Sequence, residues 1–308
     1  MAQLKVGLIG LGALGSRIAT RLLRTGFSLE IYDIADVALR MFNMDVGGII
    51  TGSPKMMAQS CDVILTVLPS IAEVREVSFG WEGLSRGFVR GGVLIDMGSS
   101  DPVATGKLAD ELAGCGIDMV DAPARGTAED AKAGKLTFVV GGPDAAVERC
   151  WPVFEALGER ILRAGSPGSG QAASALADFL RGVEILAATE ALRIGQRFGL
   201  EGGVVVDIGE GLSAVGPHVG TILRQQVLTR QFASGLAPGA SVEGSRDRFQ
   251  CRKSVWCRGA VAGCLSRYVG CGRSAPRLGR RPFGADSLVG NPRPSRAQEL
   301  SRNVICIS

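Results

Sequence analysis

No uninterrupted apolar run in this 308-residue sequence reaches the ~18 residues that span a bilayer, so no membrane-crossing segment is expected. The N-terminus, Met1-Ala2-Gln3-Leu4-Lys5, leads straight into a strand-like segment. It lacks the basic region, apolar core and small-residue cleavage site of a secretory signal, which points to a cytoplasmic protein. Histidine occurs once, at His218. None of the 8 cysteines forms a Cys-x-x-Cys pair. Cys251, Cys257, Cys264 and Cys271 are separated by five or six residues with no histidine beside them, so no metal site is expected. Aromatic residues are only 5% of the chain and no nucleic-acid-binding motif is present, so nucleic acid is not an expected partner. Lysine is missing from every position between Lys135 and Lys253.

What is present is apolar and alternating. Hydrophobic residues make up 46% of the chain and mean hydropathy is +0.22, ample for a buried core and too apolar for a disordered chain. The length suits two domains of ~100–200 residues. The net charge of +4 conceals a split: residues 236–308 carry 13 Lys/Arg against 4 Asp/Glu, and the remainder carries 21 against 26.

Leu4–Ile9 and Cys61–Leu68 are continuous apolar runs of the kind a buried parallel strand requires, with Ser28–Tyr32, Gly92–Ile95, Asp118–Asp121, Leu136–Val140 and Arg160–Leu162 as further strands. Helical spacing marks Ala13–Arg24 and Ala35–Phe42, and Pro102–Ala113 begins with proline in its first turn. This alternation predicts an α/β Rossmann-type domain with a doubly wound, mostly parallel sheet over residues 1–165. Residues 170–200 form one long helical pattern that heads an all-α domain, residues 166–235, with a break near Gly216-Pro217. Beyond residue 235 periodicity fades into an irregular, basic tail rich in Cys, Arg and Gly.

Gly10-Leu11-Gly12-Ala13-Leu14-Gly15 follows the first strand and opens a helix. The first glycine permits the tight turn, the second admits a pyrophosphate, and the third allows close helix–strand packing. Phosphates would then face the unpaired N–H groups at the positive helix end. Asp33 closes the second strand, where a carboxylate accepts bonds from a ribose 2′-hydroxyl and repels a 2′-phosphate. Ile34 follows it, with no arginine to hold that phosphate, so NAD rather than NADP is the expected cofactor.

Further motifs follow in order: Thr66-Val67-Leu68-Pro69, Asp96-Met97-Gly98-Ser99-Ser100-Asp101-Pro102, Asp121-Ala122-Pro123-Ala124-Arg125-Gly126-Thr127, Gly168-x-Gly170-Gln171-Ala172-Ala173, and Val227-Leu228-Thr229-x-x-Phe232-Ala233-Ser234-Gly235. With the glycine loop, they make residues ~5–235 resemble the β-hydroxyacid dehydrogenases, the group of 3-hydroxyisobutyrate dehydrogenase and tartronate semialdehyde reductase. The resemblance implies reversible hydride transfer between NAD and the hydroxyl-bearing carbon of a small 3-hydroxy acid, or its semialdehyde in reverse. It implies cofactor contacts from Gly10, Leu11, Gly12, Ala13, Leu14, Gly15, Asp33, Leu68, Pro69 and Ser99, and substrate contacts from Ser99, Arg125, Gly126 and Thr127. It also implies homo-oligomers assembled through the helical domains.

The chain departs from that pattern at the chemistry. The family's general acid/base lysine falls at Ser174, and its asparagine one turn later at Asp178. The serine of the substrate turn is Arg125, and the last glycine of that turn is Thr127. A serine hydroxyl does not titrate near neutral pH without a base to activate it. Asp178 lies on the same helix face as Ser174, where it is either a proton relay or a hydrogen-bonded helix residue. Arg125 either binds a substrate carboxylate bidentately or faces water. His218, at the helix break, reads as structural or exposed. One expectation is therefore an NAD-dependent 3-hydroxyacid dehydrogenase. Two alternatives are a catalytically impaired family member that still binds NAD(H), and a nucleic-acid-associated protein using the basic tail.

Residues 236–308 do not match the family. Where it has a Lys-Asp pair, this chain reads Val242-Glu243-Gly244-Ser245. Abundant Arg, Gly, Ser, Pro and Cys with almost no Lys is what a GC-rich gene yields when read out of frame, so a frameshift is the expected origin of the tail. The same departure predicts exposed apolar surface and weakened oligomers.

Overall fold

The computed structural model describes residues 4–88 and 91–230. The expectations that concern residues 236–308, and Phe232–Gly235 of the last motif, lie outside the described residues.

Among the described residues nine strands form one sheet: β1 (Val6–Ile9), β2 (Leu29–Tyr32), β3 (Ile49–Ile50), β4 (Val63–Thr66), β5 (Val93–Asp96), β6 (Asp118–Asp121), β7 (Ala124–Arg125), β8 (Leu136–Gly141) and β9 (Gly158–Gly165). Their order is β3-β2-β1-β4-β5-β6-β8-β7, with β9 also paired to β8. The pairs from β3 through β6 are parallel, while β6–β8 and β7–β8 are antiparallel. The doubly wound sheet is thus the one its apolar runs predicted. Register aligns the strands' C-terminal ends: Ile9 lies beside Tyr32 and Thr66, Thr66 beside Asp96, and Asp96 beside Asp121. Every loop carrying a candidate residue from Gly10 to Ser100 therefore leaves the same sheet edge, the edge where open α/β sheets hold ligands.

The helices are α1 (Gly15–Arg24), α2 (Asp36–Asp45), α3 (Pro54–Ser60), α4 (Ile71–Phe79), α5 (Pro102–Gly114), α6 (Ala128–Ala133), α7 (Asp144–Leu157), α8 (Ser169–Phe198), α9 (Gly202–Gly211) and α10 (Pro217–Ile222). A π-helical turn, Leu223–Leu228, follows. β1, β4 and β5 are buried along their whole length because helices cover both faces. On one face Leu8, Leu65, Ile95 and Val120 pack with Ile18 and Leu22 of α1 and with Phe138 and Phe154. On the other, Ile9, Ile64, Leu94 and Met119 pack with Met57, Val74, Leu108 and Leu112. The alternation along each strand is the period of two that a pleated strand imposes.

α8 runs 30 residues, about 45 Å at the usual helical rise. Ala188 and Leu192 are buried in its second half, and Ala188 shares a third, smaller core with Val206, Val219 and Leu223. Leu176, Leu180, Ile194 and Phe198 stay exposed. Among the described residues no helix is long and apolar enough to cross a membrane.

Candidate functional site

The glycine loop is built as its spacing demands. Gly10 has φ +99°, and a Cβ there would meet the Val67 carbonyl oxygen at 2.5 Å. A Cβ on Gly15 would sit 1.9 Å from the Gly10 oxygen, so α1 can start against β1 only without a side chain at that point. A Cβ on Gly12, by contrast, would meet nothing within 4 Å. No contact within the described residues requires that glycine, and the open space above it suits a pyrophosphate. The Gly12, Ala13 and Leu14 amides meet no acceptor among the described residues, leaving donors at the positive end of α1.

Asp33, half-buried after β2, accepts from the Leu11 N–H at 2.6 Å and from the Ala35 N–H at 2.8 Å. Each carboxylate oxygen keeps a lone pair for a further donor, such as a ribose hydroxyl. Leu68 is half-buried and Pro69 exposed at the next strand end. These residues fit a dinucleotide along the sheet edge.

Behind them lies a buried polar network. Asp96, wholly buried, accepts from the Thr66 hydroxyl at 3.0 Å, the Gly98 N–H at 3.2 Å and the Ser100 hydroxyl at 3.2 Å. Burial pushes its carboxyl above the usual range. Asp121 accepts the Gly168 and Gln171 N–H groups at 2.7 Å each, and so ties β6 to the first turn of α8. Burial is also the largest cause that pushes Asp121 up, to about 6, opposed by those two amides and assisted by Asp96.

The folded chain therefore holds a proton on Asp121 that the unfolded chain releases near pH ~4. Stability falls as pH rises from about 4 to about 6, by on the order of 2–3 kcal/mol from this group. Asp121→Asn is expected to lower overall stability, because its NH2 group would oppose an amide donor. The same change should flatten the slope in that window. Chemical denaturation at intervals between pH 4 and 7 checks this, and an unchanged slope would refute it.

The candidate chemistry groups do converge. Arg125 on β7 forms a bidentate ion pair with Asp178 on α8, with Nη1–Oδ2 at 3.0 Å and Nη2 on Oδ1. Arg125 Nη1 also lies 3.4 Å from Ser174 Oγ, and Ser174 is only 3% exposed. Arg125 is thus held by Asp178 and Ser174 rather than extended into water, and Asp178 is engaged in that pair. Gly126 takes φ +145° beside Leu136 and Asp130. The Thr127 hydroxyl and amide are engaged in a reciprocal cap of α6 with Asp130, which leaves that side chain the work of starting a helix. Ser99 is half-exposed and makes no hydrogen bond among the described residues. His218 lies exposed on α10.

The glycine-loop turn into α1, an acid at the end of β2 and candidate loops at the C-terminal sheet edge define a dinucleotide-binding domain of the dehydrogenase type. The family model for the NAD binding domain of 6-phosphogluconate dehydrogenase matches residues 5–165. The 2-(hydroxymethyl)glutarate dehydrogenase of Eubacterium barkeri is 32% identical over 235 residues, 76% of this chain and 78% of that protein. The 2-hydroxy-3-oxopropionate reductase of Escherichia coli K12 is 32% identical over 198 residues, 64% of this chain and 67% of that protein. The probable mitochondrial 3-hydroxyisobutyrate dehydrogenase of Arabidopsis thaliana is 32% identical over 215 residues, 66% of this chain. The chain spans 62% of the length of the Arabidopsis protein and 58% of the bovine one. In fold, it resembles the 3-hydroxyisobutyrate dehydrogenase of Mycobacterium tuberculosis with TM-score 0.78 at 20% identity, covering 87% of this chain and 94% of that one. The chain belongs to the β-hydroxyacid dehydrogenase family, as its ordered motifs implied.

Proposed function

We propose that this protein is an NAD-dependent oxidoreductase acting on the CH–OH group of a small 3-hydroxy acid, or on its semialdehyde in reverse. The observation that carries the proposal is the glycine loop, open above Gly12 and tethered to the Asp33 carboxylate. Bound NAD supplies the hydride acceptor. The chain's own residues orient the substrate and stabilise its oxygen. Arg125, whose Nη1 lies beside Ser174 Oγ, is placed to stabilise the developing alkoxide. Ser174 Oγ, beside it, is a hydroxyl that can hydrogen-bond the substrate oxygen, and the proton released on oxidation leaves to solvent.

Within this proposal residues 1–165 hold the cofactor and residues 166–235 begin the helical domain. The separate core of Ala188, Val206, Val219 and Leu223 supports that division. The exposed Leu176, Leu180, Ile194 and Phe198 of α8 support the expectation of exposed apolar surface and weakened oligomers.

A second proposal is a family member that holds NAD(H) and turns over poorly, favoured by the lack of any Lys between Lys135 and Lys253. NADH titration followed by a panel of small hydroxy acids and semialdehydes separates the two. Binding with turnover supports the first, and binding without turnover the second.

Asp33 predicts the cofactor. NADH is expected to bind at least ~10-fold more tightly than NADPH, about 1.4 kcal/mol. Asp33→Asn keeps an acceptor for the Leu11 N–H but removes the charge that repels a 2′-phosphate, so the ratio should fall towards one. Parallel titrations with both cofactors test it, and a ratio unmoved by the substitution counts against Asp33 as the discriminator.

A further inference from the structure

We infer that Gln171 is a positioning residue that fixes the backbone of Ser99 and holds it in register with the Ser174 turn of α8. The inference rests on the cofactor site proposed above. Gln171 is 2% exposed and sits in the first turn of α8. Its side-chain Oε1 accepts the Ser100 N–H at 3.0 Å, and its Nε2 donates to the Gly98 carbonyl at 2.9 Å. Those two groups belong to the two peptide planes that flank the Ser99 Cα. One amide side chain therefore constrains both soft dihedrals of Ser99.

The two neighbours are held a second time from β5. The Gly98 N–H and the Ser100 hydroxyl both donate to the Asp96 carboxylate. Ser99 alone in this loop forms no hydrogen bond among the described residues, while its neighbours are bonded on both sides. A loop whose flanking residues are bonded to the scaffold and whose central residue is not presents that residue to a ligand. Gln171 lies three residues before Ser174, so both occupy one helix face. Its main-chain N–H is in turn anchored on Asp121. The loop after β5 and the turn of α8 that carries Ser174 thus move as one body through a single buried amide.

The test is a double-mutant cycle on NADH affinity, read by NADH fluorescence, with thermal melts recorded for every variant. Gln171→Met keeps the side chain's length and deletes both hydrogen bonds. Its NADH Kd is expected to rise about 10-fold at a temperature where the melt shows it folded. Ser99→Ala is expected to raise Kd by several-fold. Combined, the two should cost little more than the larger alone, because Gln171 acts through Ser99. Should Gln171→Met fail to fold, Gln171→Asn retains the amide but is one methylene too short to reach both peptides. It is expected to show the same non-additivity with Ser99→Ala. A purely structural role for Gln171 would lower the melting temperature and leave Kd within about twofold, or give additive effects with Ser99→Ala; either result overturns the inference. Wild-type protein that binds no NADH overturns the proposed function and this inference with it.

Discussion

Gly12→Val is expected to cost at least ~100-fold in NADH affinity, about 2.7 kcal/mol, while unfolding stability stays within about 0.5 kcal/mol of wild type. The expectation follows from what each loop glycine faces. A Cβ on Gly12 would meet nothing within 4 Å among the described residues, so the fold is expected to tolerate a small side chain there. The same side chain would fill the space a pyrophosphate needs and cover the amides at the start of α1. Gly15→Ala should behave in the opposite way. Its Cβ would lie 1.9 Å from the Gly10 oxygen, a backbone atom that cannot yield, and a loss of about 3 kcal/mol in stability is expected. Denaturant unfolding and NADH titration on both variants check the pair. If Gly12→Val binds NADH as wild type does, the loop is not the cofactor site.

The second large effect is a rise in turnover. The resemblance puts a cation on the long helix and a hydroxyl on the facing turn; here Ser174 is on the helix and Arg125 on the turn, with Oγ and Nη1 3.4 Å apart. The two side-chain types have exchanged backbones. Ser174→Lys alone would set an ammonium against the Arg125 guanidinium in a nearly closed space, a repulsion of roughly 1–4 kcal/mol. The double change Arg125→Ser with Ser174→Lys removes that clash. It also gives Asp178 a new partner four residues away on the same helix. A lysine that can exchange a proton is worth ~10²–10⁴-fold, and that is the expected gain in NADH formation with the responsive hydroxy acid of the panel. A double variant that binds NADH yet turns over no faster than wild type would show that the exchange does not limit the chemistry.

The parts of the fold that were legible in the sequence were those with a physical period. β1 and β4 are continuous apolar runs because both their faces are buried, and α8 declares itself by length. β3 and β7 were invisible because two residues carry no period. α7 was hidden by Pro152 in its interior, which ordinarily breaks a helix; burial of Val147, Cys150, Val153, Phe154 and Leu157 against the sheet holds it. At the site, the glycine loop was legible because its chemistry is local. The pairing of Arg125 with Asp178 was not, since 53 residues separate them and either is equally at home in water. Gln171 belongs to a legible motif, yet its role was hidden, because nothing in a sequence marks a buried amide that serves another segment's backbone.

Asp33 does two things at once, and this limits how the protein can change. Its Oδ2 holds the Leu11 N–H, so the residue placed to set cofactor preference is also a strut of the loop that binds the phosphates. A lineage drifting towards the phosphorylated cofactor could not simply discard this acid for a small or basic side chain. It would first need another acceptor for that amide, or accept a looser phosphate loop. Preference for one cofactor is thereby coupled to loop integrity, and the shortest route to the other passes through Asp33→Asn, the one-step replacement that keeps an acceptor in place.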